Sequence, residues 1–96
     1  MELLALTLPA AATGLQGARV TGGVRLAWTD TAANERAFRI ERSPAGGASF
    51  LEVGRAAANA VAFTDATAAS GVAYEYRVFA TNERGDSATT GVVLVP

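Results

Sequence analysis

The sequence predicts an all-β domain of short strands, a sandwich or a barrel, on three observations. Several runs alternate apolar with polar or small residues at a period of two. Turn-forming residues separate these runs roughly every ten positions. No stretch repeats its apolar residues at helical spacing. The 96 residues suffice for one domain and leave no room for a second core. Half are apolar, but many of those are alanines, which bury little area each. The core must rest on a few large side chains, notably Trp28, Phe38, Ile40, Phe50, Phe63, Tyr74 and Tyr76.

In chain order, Leu3 to Leu8 is apolar but far too short to cross a bilayer. Glu2 follows Met1, so the basic start of a signal peptide is missing. Leu4-Ala5-Leu6-Thr7-Leu8-Pro9 resembles Gly91-Val92-Val93-Leu94-Val95-Pro96, and Pro9 and Pro96 lie 87 residues apart. That offset is about one domain length. Residues 1–8 are therefore read as the end of a preceding module's last strand, or else an N-terminal extension, and 9–96 as the domain, with Pro9 opening the linker. The alternative is chance similarity of two short apolar runs.

Val24-Arg25-Leu26-Ala27-Trp28, Phe38-Arg39-Ile40-Glu41-Arg42 and Tyr74 to Ala80 each alternate as a strand with one buried face requires. Val61-Ala62-Phe63 and Val92 to Val95 add two β-rich runs. Between them stand turn signals at Thr21-Gly22-Gly23, Asp30 to Glu35, Pro44 to Gly47, Asn59, Ser70-Gly71 and Asn82 to Asp86. Ala32-Ala33 and Ala56-Ala57-Ala58 favour helix by propensity alone. Neither has apolar residues at helical spacing around it, so both are read as loops.

These runs, in this order, resemble bacterial fibronectin type III domains. Val24-x-Leu26-x-Trp28-Thr29-Asp30 and Asn34-Glu35-x-x-Phe38 to Ser43 are similar to strands B and C of that family. Phe63-Thr64-Asp65, Tyr74-x-Tyr76-x-Val78-x-Ala80-x-Asn82 and Gly85-Asp86-Ser87 resemble strands E, F and the F–G turn. The match runs from about Pro9 to Pro96. It implies a seven-stranded, immunoglobulin-like Greek-key β-sandwich. Trp28 would lie between the sheets, with Val24, Leu26, Ile40, Phe63, Tyr76 and Val78 around it. Tyr74 matches the family's tyrosine corner, whose hydroxyl bonds back to the E–F connection. There the sequence departs from the pattern, with Ala68 and Ser70 where the family usually has Leu and Pro. The lost Leu packing is worth about 2 kcal/mol or more unless a neighbour such as Val72 fills in.

Composition excludes several functions. A net charge of −1 with interspersed signs gives no footprint for nucleic acid or an anionic membrane. There is no cysteine, histidine or lysine, so no disulfide, thiolate metal site or ordinary hydrolytic triad can form. The domain is read as non-catalytic and without a cofactor. Asp30, Glu35 and Asp65 do not make a calcium site, because Asp65 falls toward the other end of the sandwich. Arg84-Gly85-Asp86-Ser87 is the sharpest hook, since Arg-Gly-Asp-Ser in the F–G loop is the integrin-binding signature of one fibronectin module. The competing reading is an ordinary turn, with Gly85 at a positive-φ position and Asp86 and Ser87 bracing it. Phe79, out of phase with Tyr76 and Val78, should share the outer face with Arg39, Glu41, Glu75 and Arg77 as a cross-strand contact.

Two roles follow from the resemblance. The first is a monomeric spacer in a secreted or surface bacterial protein, joined to neighbouring domains such as a carbohydrate-active enzyme. The second is an adhesion module that holds a protein or polysaccharide through the F–G loop or the C–F–G face. Either places the domain outside the cell.

Overall fold

The computed structural model describes residues 7–96, and among them strands are the only regular elements. They are β1 (Thr13–Val20), β2 (Gly23–Thr29), β3 (Ala37–Pro44), β4 (Leu51–Ala57), β5 (Ala62–Asp65), β6 (Tyr74–Asn82), β7 (Gly85–Asp86) and β8 (Val93–Val95). One sheet has the order β1-β2-β5 and the other β4-β3-β6-β7, with β8 also on β6. Every pairing is antiparallel. The chain passes from the first sheet to the second, back for β5, and out again, which makes a Greek-key sandwich.

The expected seven strands become eight segments because the last strand is interrupted. Between β7 and β8, the N–H groups of Ser87 and Thr90 donate to the Ala80 and Val78 carbonyls at 2.7 and 3.0 Å. The Ser87 and Thr90 hydroxyls accept from the N–H groups of Ala80 and Val78 at 3.0 and 2.9 Å. Two side chains thus complete the ladder where the backbone departs from β geometry, and both residues are buried.

Register fixes the two faces of the larger sheet. Phe38, Ile40 and Arg42 stand opposite Ala80, Val78 and Tyr76 on the inner side. Arg39, Glu41 and Ser43 stand opposite Phe79, Arg77 and Glu75 on the outer side. Val24, Leu26, Phe38, Ile40, Tyr76 and Val78 are fully buried, and the Trp28 ring lies 5.3 Å from that of Phe38.

Phe63 is half-buried at β5 and reaches across to β4. A Cβ on Gly54 would fall 2.3 Å from its ring. Gly54→Val is therefore expected to cost about 1–3 kcal/mol by overpacking, read from the urea midpoint, with partial recovery on adding Phe63→Leu. An unchanged midpoint would contradict this contact.

Three sequence readings need correction. Phe50, expected in the core, is half-buried under the Arg77 guanidinium on the outer face and does not join the core cluster. Ala56 and Ala57, expected in a loop, end β4 opposite Phe38 and Ala37, because pairing to β3 overrides their helix propensity. Ala32-Ala33 do lie outside the strands. Strand β1 carried no alternation that singled it out, and it forms against β2 from Thr13 to Val20. Of residues 1–8, read as the end of a preceding module, only Thr7 and Leu8 are among the described residues, so the strand expected there lies outside them.

Candidate functional site

The turn between β6 and β7 is a two-residue hairpin, Glu83-Arg84, closed by the Asn82–Gly85 pair. The Arg84 N–H donates to Asn82 Oδ1 at 2.8 Å, and Gly85 adopts φ 140°, a value that favours glycine. Arg84 is exposed and makes no ion pair among the described residues. Asp86 is exposed as a residue, but its carboxylate is engaged, with Oδ2 at 2.5 Å from Arg39 Nη1. Ser87 is buried, with its hydroxyl donating to the Ala88 carbonyl at 2.7 Å. Of the four residues in the adhesive-type motif, only Arg84 is presented without a partner, while Asp86 and Ser87 bind their own sheet.

Arg39 is the hub of the outer face. Besides Asp86 it contacts Glu52 at 2.8 Å and Glu41 at 2.9 Å. The Glu52 hydrogen bond, ahead of the nearby Asp86 and Glu41 charges, raises the Arg39 guanidinium above its ordinary value. Hydrogen bonds from Arg55 and then Arg39 hold Glu52 below the usual carboxylate range. Arg77 bonds Glu41 at 2.8 Å. The Arg39 and Arg77 guanidinia each lie 5.3 Å from the Phe79 ring centroid, and Arg77 caps Phe50 at 4.1 Å. The aromatic rings on this face are stacked on arginines, not left open for a sugar or peptide.

The carboxylates considered for calcium fall into two places. Asp30 and Glu35 meet at the end of the sandwich where β2 leads toward β3. The Ala32 N–H donates to Asp30 Oδ1 at 3.0 Å, and the Asn59 N–H to Glu35 Oε2 at 2.8 Å. Burial and then the neighbouring Glu35 raise the Asp30 carboxyl; Glu35, whose burial acts upward, is held low by the Asn59 N–H. Asp65 lies at the other end of the first sheet. Its Oδ2 accepts from Tyr76 Oη at 2.7 Å and Arg42 Nη1 at 2.8 Å, and its Oδ1 from the Thr67 N–H and hydroxyl at 2.9 and 2.6 Å. Among the described residues no group of three or more Asp or Glu is placed to hold a metal ion.

At the corner, Tyr74 Oη accepts from the Ala69 N–H at 3.1 Å. Val72, considered as a filler for the missing Leu, is 39% exposed. Ala68 itself packs on the core, and Arg19 laces the connection by donating to the Ala69 carbonyl at 3.0 Å and to the Val72 carbonyl. Sequence reasoning missed this arginine, the Arg42–Asp65–Tyr76 network and the Arg39 hub. The opposite charges at Arg39 and Glu41, and at Glu75 and Arg77, were the available signal for the hub. Nothing local marks Arg19, whose partners lie 50 and 53 residues away.

No family model and no curated protein matches the chain. Solved structures do. An Fn3-like protein from Clostridium thermocellum aligns over 94% of both chains, with a TM-score of 0.77 and 22% identity. A fibronectin type III domain of human collagen XX aligns over 99% of this chain and 98% of its own, with a TM-score of 0.71 and 30% identity. A pectate lyase from Erwinia chrysanthemi, solved with tetragalacturonic acid, matches 88% of this chain with 28% of its own length, at a TM-score of 0.77 and 20% identity.

Proposed function

This chain belongs to the fibronectin type III family, and we propose that it acts as a non-catalytic spacer that holds neighbouring domains of one polypeptide at a set distance. The observation that carries the reading is how the polar groups of the candidate surface are used. Asp86, Glu41 and Glu52 all converge on Arg39, and the aromatic rings there are capped by guanidinia. A surface whose charges satisfy one another has little left for a ligand, and supports rigidity instead. The pectate lyase match supports a setting beside a carbohydrate-active enzyme, because the fold there is a minor part of a longer chain. On this reading the parent is a secreted or surface bacterial protein, and the domain is a monomer whose partners are its neighbours.

The exposed Arg84 is the group that favours adhesion, and the test turns on its neighbour. The immobilised domain is expected to hold integrin-bearing cells no better than its Asp86→Glu variant, with or without chelator. The Arg39–Asp86 contact keeps that carboxylate from completing a receptor's cation site. Cation-dependent adhesion abolished by Asp86→Glu would overturn the spacer reading.

A further inference from the structure

Each end of the domain holds a short tract of the chain through side-chain hydrogen bonds. At the end bearing the β6–β7 turn, the Asn82 side-chain amide donates to the Thr7 carbonyl at 2.9 Å and to the Asn34 carbonyl at 3.2 Å. The Asn34 amide donates to the same Thr7 carbonyl at 3.1 Å and to its hydroxyl at 3.2 Å. Leu8 lies against Gly85, 3.4 Å from where a Cβ would stand. At the opposite end Arg19 Nε donates to the Pro96 carbonyl at 3.2 Å.

The sequence repeat aligns these contacts. Thr7, Leu8 and Pro9 correspond to Leu94, Val95 and Pro96. Leu8 is 51% exposed, whereas its counterpart Val95 is 1% exposed, packed in the core with β8 on β6. Pro96 is exposed, whereas its counterpart Pro9 is buried. The second and third positions of the tract are thus each buried by one end of the domain and left open by the other, while Thr7 and Leu94 are exposed at both. A tract held by both ends would have its second and third positions covered.

We propose that modules of this fold abut end to end without a free linker. The tract Leu94-Val95-Pro96 of one module serves as Thr7-Leu8-Pro9 of the next, gripped by Arg19 of the first and by Asn34 and Asn82 of the second. The inference rests on the spacer reading and adds a fixed angle to it. The partner it assigns to the Asn34–Asn82 end is a preceding module of the same fold. A flexible tether lets two domains sample many orientations, whereas a tract held by hydrogen bonds from both sides does not. The apolar surface at the junction comes from Val61 on one side and from Val20 and Val72 on the other, all exposed in the single domain.

The test joins residues 1–96 directly to a second copy of 10–96, which preserves the repeat. With no native cysteine, Thr64→Cys in each copy gives two exposed sites for spin labels. One narrow inter-label distance distribution is expected. Asn34→Ala with Asn82→Ala in the second copy is expected to widen it about twofold, toward the spread of a flexible tether. A Gly-Gly-Gly insertion after Pro96 alters no residue of either module and is expected to do the same, even where the amide variants fold poorly. A wild-type tandem as broad as the insertion variant overturns the junction and leaves the spacer reading standing. A narrow peak unmoved by loss of both amides overturns the grip. Cation-dependent adhesion, measured separately, overturns the spacer reading without touching these distances.

Discussion

Replacing Asp65 by alanine is expected to cost about 3–5 kcal/mol of stability, measured from urea or thermal unfolding. The carboxylate is 1% exposed and accepts four hydrogen bonds, from Arg42, Tyr76 and twice from Thr67. Removing it leaves the Tyr76 hydroxyl without its acceptor in a fully buried residue, and the Arg42 guanidinium half-buried beside it without a counter-ion. Tyr76→Phe, which deletes one donor and strands nothing charged, should cost only about 1 kcal/mol. If Asp65→Ala cost no more than Tyr76→Phe, the network would not be holding the sheets together.

The same carboxylate sets the acid limit of the fold. Burial alone would raise its pKa, but the hydrogen bonds from Thr67, Tyr76 and Arg42 outweigh burial and hold it below the ordinary value. A carboxyl that is more acidic folded than unfolded adds stability above its unfolded pKa of about 3.9. That contribution disappears as pH falls from there through the folded value. Wild-type stability should therefore drop steeply below about pH 4, and Asp65→Asn, weaker at neutral pH, should show a shallower drop. Parallel pH profiles for the two chains would assign the acid sensitivity elsewhere.

How much of this was legible in the sequence depends on how local each signal is. Alternation at Val24–Trp28, Phe38–Arg42 and Tyr74–Ala80 placed β2, β3 and β6, because one buried face imposes a period of two on consecutive residues. Strand β1 escaped because Gly14, Gly17 and Ala18 give it little β propensity. Its regularity comes from pairing with β2 and from packing against Val95, which leaves no room for a Cβ at Gly17. The turn at Asn82–Gly85 was readable, since Asn and Gly carry its geometry in their own side chains or lack of one. That Asp86 would be engaged by Arg39 was not, because the two lie 47 residues apart and meet only through the β3–β6 register. The motif's chemistry was thus visible and its availability was not. The junction sits between these cases: the repeat of residues 4–9 at 91–96 was plain, but the grip on it comes from Asn34, Asn82 and Arg19, which the repeat does not contain.

Trp28→Ala is the second substitution expected to be severe, at about 3–5 kcal/mol. The indole is 5% exposed and packs against Phe38 at 5.3 Å, bridging β2 and β3 across the sandwich. Much of the apolar count is alanine, so the surroundings have little side-chain length with which to collapse into the space, and the cavity left adds to the lost transfer energy. Trp28→Phe separates burial from polar contributions. The indole Nε1 has no acceptor among the described residues, so replacing it strands no partner, and the cost should fall to roughly 1–2 kcal/mol. Position matters as well as size. Trp28 ends the buried run of β2, and its own N–H donates to the Val61 carbonyl at 2.9 Å. The chain then runs through Asp30 to Asn34, whose amide grips Thr7. In the two-module protein, Trp28→Ala in the second copy should therefore broaden the inter-label distances even under conditions where that copy remains folded, whereas the same change in the first copy should not.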